Sequence, residues 1–346
     1  MKIKIIEAGN VFLTRDKIEK RWRAFYKMLR QGKGLKSFDG IEIAEKHVMH
    51  DAHRVITRRT LKLHEAIRAA SPLKTEELIK LGRIAGGVDA MTVTADRADE
   101  IAAAVHEEFG WLAPATQYVW HALRRAAEDG TPVRVPPVIL VGPPGIGKSV
   151  WARFVAHQIG LPAVDIDASK GAVGFSINGT ERGWSTAQPG RPVEMIISSR
   201  IANPLIIVDE ICKSVSMTSE KGRRMSLEDA LLSLLEPATA AAWDCPFYRV
   251  SFDMSHISWI LTANTTDGIP APLLSRCRVI NLPPPTRGQT IVFACTMSGR
   301  RGLSDDAARA VIDAVKYADR SFSMRDIIKI VEHAHAIDDT TPYLLH

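Results

Sequence analysis

Val138-Ile139-Leu140-Val141-Gly142-Pro143-Pro144-Gly145-Ile146-Gly147-Lys148-Ser149 is an apolar run that enters a glycine-rich turn and closes on Lys and Ser. The run lacks polar alternation, which predicts a strand covered on both faces. The turn has the spacing G-x-x-x-x-G-K-[ST], and the pattern over 148–159 predicts a helix directly behind it. Glycines let successive backbone N–H groups turn inward around phosphate oxygens, and the following helix adds its positive N-terminal end. In such a loop Lys148 reaches the β- and γ-phosphates of ATP, and Ser149 ligates Mg²⁺. A merely structural turn is the plain alternative, and the strand and helix flanks argue against it.

Working outward, Leu205-Ile206-Ile207-Val208-Asp209-Glu210 is a second apolar run, ending in two carboxylates. Ligands sit at the C-terminal edge of parallel strands, so this pair falls where a metal and a water would be managed. Asp209 is the candidate metal holder, and Glu210 the candidate to orient and deprotonate the attacking water. A third run, Ser258–Ala263, delivers Asn264, a candidate to hydrogen-bond that water. Arg276 and Arg278 precede a further run at Val279–Leu282, and Arg325 opens a late helical stretch. An arginine aimed at a γ-phosphate stabilises the charge that develops in transfer. Taken singly, each of these arginines reads as a surface charge; the ordered set is what points to a site.

The apolar runs at 138–141, 163–166, 205–209, 257–262 and 279–282 alternate with helical patterns, which predicts an α/β domain with a parallel sheet over about 96–285. Before it, residues 1–95 read as helical (about 15–30, 41–70 and 75–85), with a linker at 86–95 marked by Gly86–Gly87. After Pro283-Pro284-Pro285, three further helices at about 286–298, 304–318 and 323–337 predict a small all-α domain spanning 286–346.

The order of these parts resembles the AAA+ ATPases, P-loop NTPases with a C-terminal helical lid, and within them the ATPase module of Lon proteases. The likeness covers about 97–337 and rests on VILVGPPGIGKS, NPLIIVDEICK, SLEDALLSLLEP and ISWILTANTTDGIPAPLLSRCRVINLP. The resemblance implies that Asn264 falls at sensor 1, Arg276 at an arginine finger acting on a neighbouring subunit's ATP (Arg278 the weaker alternative), and Arg325 at sensor 2. It also implies a hexameric ring, a protein substrate and a pore loop. Arg182-Gly183-Trp184-Ser185-Thr186 looks like that loop, with Trp184 as the gripping aromatic. Ser185 departs from the family, which usually has a hydrophobic residue there. Lon continues into a peptidase domain with a Ser–Lys pair. This sequence reaches His346 without one, so the expectation is remodelling without proteolysis, with a separate peptidase or adaptor as a possible partner.

Composition adds limits. Lys+Arg number 45 against Asp+Glu 39, a net charge of +6, and residues 1–83 alone hold 20 against 10. A basic N-terminal third admits nucleic acid as a partner, so a nucleic-acid motor or loader and a non-threading nucleotide switch stand as rival readings. Cysteines at 212, 245, 277 and 295 form no C-x-x-C pair and no zinc spacing. His47, His50 and His53 stand three apart, with His64 beyond; a helix carries 47 and 53 about 60° apart, which suits a solvated face better than zinc. There is no signal-like N-terminus and no apolar run of membrane length, so the expected location is the cytoplasm without membrane attachment.

Overall fold

The computed structural model describes residues 1–6, 73–170, 173–181, 187–214, 226–318 and 322–339, together with 22, 24–25, 50–55 and 57–58. The helices expected at 15–30 and 41–70 lie largely outside these residues, as do His47, His64 and the loop carrying Trp184 and Ser185. His50 and His53 are described, and no group of three or more His, Cys, Asp or Glu residues is gathered for a metal among the described residues.

Five parallel strands form the central sheet: β1 (Val138–Val141), β2 (Ala163–Asp167), β3 (Leu205–Asp209), β4 (Ser258–Ala263) and β5 (Arg278–Asn281). Their order is β2-β3-β4-β1-β5. β1 therefore sits between β4 and β5, with Val141 opposite Ala263 and Val138 opposite Arg278. The absence of polar alternation has a direct cause. Side chains of one strand point alternately to the two faces, and both faces are buried. Val138 and Leu140 enter a core with α2 (Ala95–Glu108), α3 (Ala113–Glu128) and α4 (Lys148–Ile159). Ile139 and Val141 enter the opposite core, with α5 (Arg191–Ser199) and α6 (Leu227–Leu235).

The second core also takes in Ile5, Ile6, Val88 and Ala90, and Leu81 and Ile84 of α1 (Thr75–Ile84). The backbone carbonyl of Ile5 accepts the Asp253 N–H at 2.8 Å. The first residues of the chain thus pack against the underside of the sheet.

A short helix α7 (Ala271–Arg276) leads into β5. Beyond β5, helices α8 (Arg287–Arg301), α9 (Asp305–Lys316) and α10 (Met324–Asp338) pack around their own small core of Ala294, Val311, Val315, Met324, Ile327 and Val331. Each begins at a hydroxyl N-cap (Thr286, Ser304, Ser323) that accepts the N–H three residues on, and α8 adds the reciprocal bond from Gln289. Where the sequence reading placed a strand or helix within the described residues, its limits agree to within about three residues, the usual scatter at element ends; the helices Arg191–Ser199 and Ala271–Arg276 were not read from the sequence, and Val88–Asp89, in the expected linker, is a strand paired with Lys2–Ile3.

Candidate nucleotide site

The Gly142–Ser149 loop leaves the C-terminal end of β1, between the ends of β4 and β5. Two of its glycines are required by their backbone. Gly147 has φ +93° and caps α4 in the left-handed region; Gly145 has φ +79°. A Cβ at Gly145 would stand 2.8 Å from the Ser323 Oγ, so the lid helix α10 lies directly on the loop. The Arg325 backbone N–H donates to the Gly145 carbonyl at 3.2 Å. Trp111, in the 3-10 turn Gly110–Leu112 after α2, donates its indole N–H to the Ile146 carbonyl at 2.8 Å.

Lys148 is 7% exposed. Its ammonium donates to the carbonyls of Gly142 at 2.7 Å and Pro143 at 3.0 Å, and to Asn264 Oδ1 at 3.2 Å. Burial pulls its pKa down, partly offset by the charges of Asp209, Cys212 and Glu210. A desolvated ammonium without a bonded carboxylate is electrostatically ready for an anion. Ser149 is half-buried in the first turn of the same helix.

Asp209 and Glu210 end β3 beside β4, and a single hydroxyl ties both down. Thr262 Oγ1 donates to Asp209 Oδ1 and accepts the Glu210 N–H, the latter at 3.1 Å. Glu210 is held at φ +58°, unusual for a residue with a side chain. Its carboxylate accepts from Lys213 Nζ at 2.8 Å, one helical turn on. Thr262 is 1% exposed and shares its mostly apolar strand with one other buried hydroxyl, Ser258. A hydroxyl two residues before Asn264 was its signal in the sequence, and the sequence reading gave it no role. The i, i+3 spacing of Glu210 and Lys213 was equally legible.

The structure thus brings the loop, Asp209, Glu210 and Asn264 to one edge of the sheet, with Arg325 against the loop from the lid. Arg276 and Arg278 are not brought there. The start of β5 pairs with the start of β1, the edge opposite the loop. Arg276 lies 3.8 Å from Glu236 in an ion pair. Neither arginine serves the nucleotide site of its own chain. Burial raises the pKa of the Cys245 thiol and pushes that of Cys277 up to about 12, so neither is a ready nucleophile.

Residues 138–284 match the profile of the ATPase family associated with various cellular activities, AAA. The α/β core of this chain is thus similar to AAA modules over that stretch. The chain is also similar in sequence to Lon proteases. One from Magnetococcus marinus is 37% identical over 145 residues, 42% of this chain and 17% of the relative. One from Chloroherpeton thalassium is 32% identical over 150 residues, 43% of this chain and 17% of the relative. The peroxisomal Lon protease homolog 2 of Zea mays is 32% identical over 162 residues, 47% of this chain and 17% of the relative. The chain covers about a sixth of the length of these relatives, and the shared part is the AAA region. Among the described residues no helix is long and apolar enough to cross a membrane.

The donor set of this site fits Mg²⁺ and a triphosphate. Ser149 and Asp209 offer the hard oxygens that Mg²⁺ takes from protein while phosphates and water supply the rest. The loop offers a buried ammonium and a helix N-terminus.

Proposed function

We propose that this chain is an ATP-hydrolysing, Lon-like motor that remodels or unfolds protein substrates through the pore of a ring. The observation that carries the reading is the Lys148 ammonium: buried, bonded to Asn264, and under the field of Asp209 and Glu210. In this reading residues Gly142, Pro143, Pro144, Gly145, Ile146, Gly147, Lys148 and Ser149 cradle the phosphates. Ser149 and Asp209 would hold Mg²⁺, which would supply positive charge against the phosphates during transfer. Glu210 takes the proton of the attacking water while Asn264 orients it. Arg325 reports the nucleotide to the lid.

Arg276 acts in trans on the next subunit's nucleotide, a role supported by its distance along β5 from its own loop and one that makes a ring, hexameric by resemblance, necessary for turnover. Trp184, next to Ser185, grips polypeptide by burial against its ring, which does not depend on sequence. The working division is 1–95, 96–285 and 286–346, in the cytoplasm. A separate peptidase or adaptor is a partner to look for. Nucleic acid is not favoured, because no observation at the site calls for it.

The test is steady-state ATP hydrolysis with Mg²⁺, with and without an unfolded protein such as casein. The expected result is turnover stimulated by that protein and not by DNA, and loss of the stimulation in Trp184→Ala. Glu210→Gln should retain ATP without hydrolysing it; normal turnover in that variant removes Glu210 from the mechanism. Stimulation by DNA alone would move the assignment to a nucleic-acid motor.

A further inference from the structure

Between α2, α4 and α8 lies a cavity of about 830 Å³, lined among others by Trp111, Phe154, Gln289, Val292, Phe293 and Arg300. Trp111 is the one lining residue that also bonds to the phosphate loop. We propose that Trp111 is a positioning residue of that loop and transmits the setting of the lid to it. The inference rests on the reading of Gly142–Ser149 as a triphosphate loop.

In a trans peptide the C=O and the following N–H point in opposite directions. The Ile146 carbonyl faces Trp111, so the Gly147 N–H is turned the other way. The Gly145 carbonyl is held by the Arg325 N–H, so the Ile146 N–H is likewise turned from α10. Two neighbouring peptide planes at the centre of the loop are therefore set by donors outside it. Trp111 orients one of the two N–H groups a phosphate would meet. Phe or Leu at 111 would fill the same space and leave that plane free, because neither carries a donor.

The other end of Trp111 faces the lid. Its ring meets Phe293 of α8 edge to face, centroids 5.3 Å apart and planes at 76°. It also packs on Phe109, at 5.7 Å. Alongside, Arg300 of α8 makes a two-pronged pair with Glu108 at the end of α2, one prong at 2.6 Å. A rotation of the lid carries Phe293 with it. The indole has to follow or give up the edge contact, and either change acts on the Ile146–Gly147 plane.

The experiment uses the full chain. Trp111→Phe keeps an aromatic body and removes the donor. Its affinity for Mg·ADP and Mg·ATP should fall about five- to tenfold, the equivalent of one neutral hydrogen bond, with KM for ATP rising more than kcat falls. In protein labelled with 5-fluorotryptophan, the ¹⁹F resonance missing from Trp111→Phe should shift on adding Mg·ADP in the parent chain, and Phe293→Leu should move that resonance and shrink the shift. Wild-type affinity in Trp111→Phe, or a Trp111 resonance indifferent to Mg·ADP, overturns the proposal. If Trp111→Phe does not fold, Phe293→Leu carries the test: no tryptophan resonance responding to both the substitution and Mg·ADP is then the refuting result. Lys148→Ala separates the two layers. Intact binding in that variant sinks the loop assignment itself, whereas abolished binding beside an unaffected Trp111→Phe sinks only the role of Trp111.

Discussion

Thr262→Val removes one hydroxyl and little volume, and it strikes both carboxylates of the site at once. In the native arrangement that hydroxyl donates to Asp209 and accepts the Glu210 N–H. Valine leaves the N–H without its partner in a half-buried position and strips a donor from the Asp209 carboxylate. An unsatisfied buried donor costs about 1–3 kcal/mol. Glu210 also sits at φ +58°, a conformation that costs a residue with a side chain about 1–2 kcal/mol. The Thr262 bond helps to hold it there. Once that bond is lost, relaxation to negative φ becomes favourable, and the carboxylate swings away from its place at the end of β3. The expected loss in kcat is about 5- to 150-fold, the rate equivalent of 1–3 kcal/mol. Nucleotide affinity should change by less than about threefold, because Lys148 and its partners are untouched. Thr262→Ser, which keeps the hydroxyl, should recover most of the rate. The assay is Mg·ATP hydrolysis with separate binding by calorimetry, on a variant shown folded by its melting curve. A folded Thr262→Val with more than half the parent kcat would refute the claim that this hydroxyl sets the geometry of Glu210.

Lys148→Met should weaken Mg·ATP binding about a thousandfold, since one charge pair at about 4 Å in an effective dielectric of about 20 is worth about 4 kcal/mol. Its empty form should not melt earlier by more than a few degrees, because burial already depresses the Lys148 pKa and the native state bears that cost while the ammonium is charged. Gly145→Ala should lift α10 from the loop, since the new methyl would stand 2.8 Å from Ser323 Oγ at a φ of +79°; faster proteolysis of the lid and weaker nucleotide binding are the readouts. The Glu108–Arg300 clasp should open in acid. Arg300 holds the Glu108 pKa below its ordinary 4.5, so its stabilisation is present above that value and lost as pH falls through the depressed one. With half of the Arg300 side chain in water, the effect is about 0.2–1 kcal/mol; protection of the α8 amides, taken relative to their intrinsic exchange rates, should fall toward pH 3 in the parent and stay level there in Glu108→Gln.

Residue pattern along the chain specifies the parts. Period and length separate strands buried on both faces from helices, and a loop spacing that needs glycine at 145 and 147 for backbone reasons is visible without coordinates. So are carboxylates at the end of an apolar run. Which ends meet is a matter of folding across long separations. Strand order is long-range pairing, and it puts β4 between β3 and β1. That order brings Thr262 to Asp209 across 53 residues, and Asn264 to Lys148 across 116. It also puts Arg276 at the wrong edge for its own site, which no count of residues along the chain reveals. Trp111 shows the limit most clearly. Its apolar body marks it as packing, and its single polar atom finds a partner 35 residues away only because the loop and the 3-10 turn fold onto each other. Local pattern is set by neighbours in sequence, whereas a site is set by contacts whose partners share no sequence period.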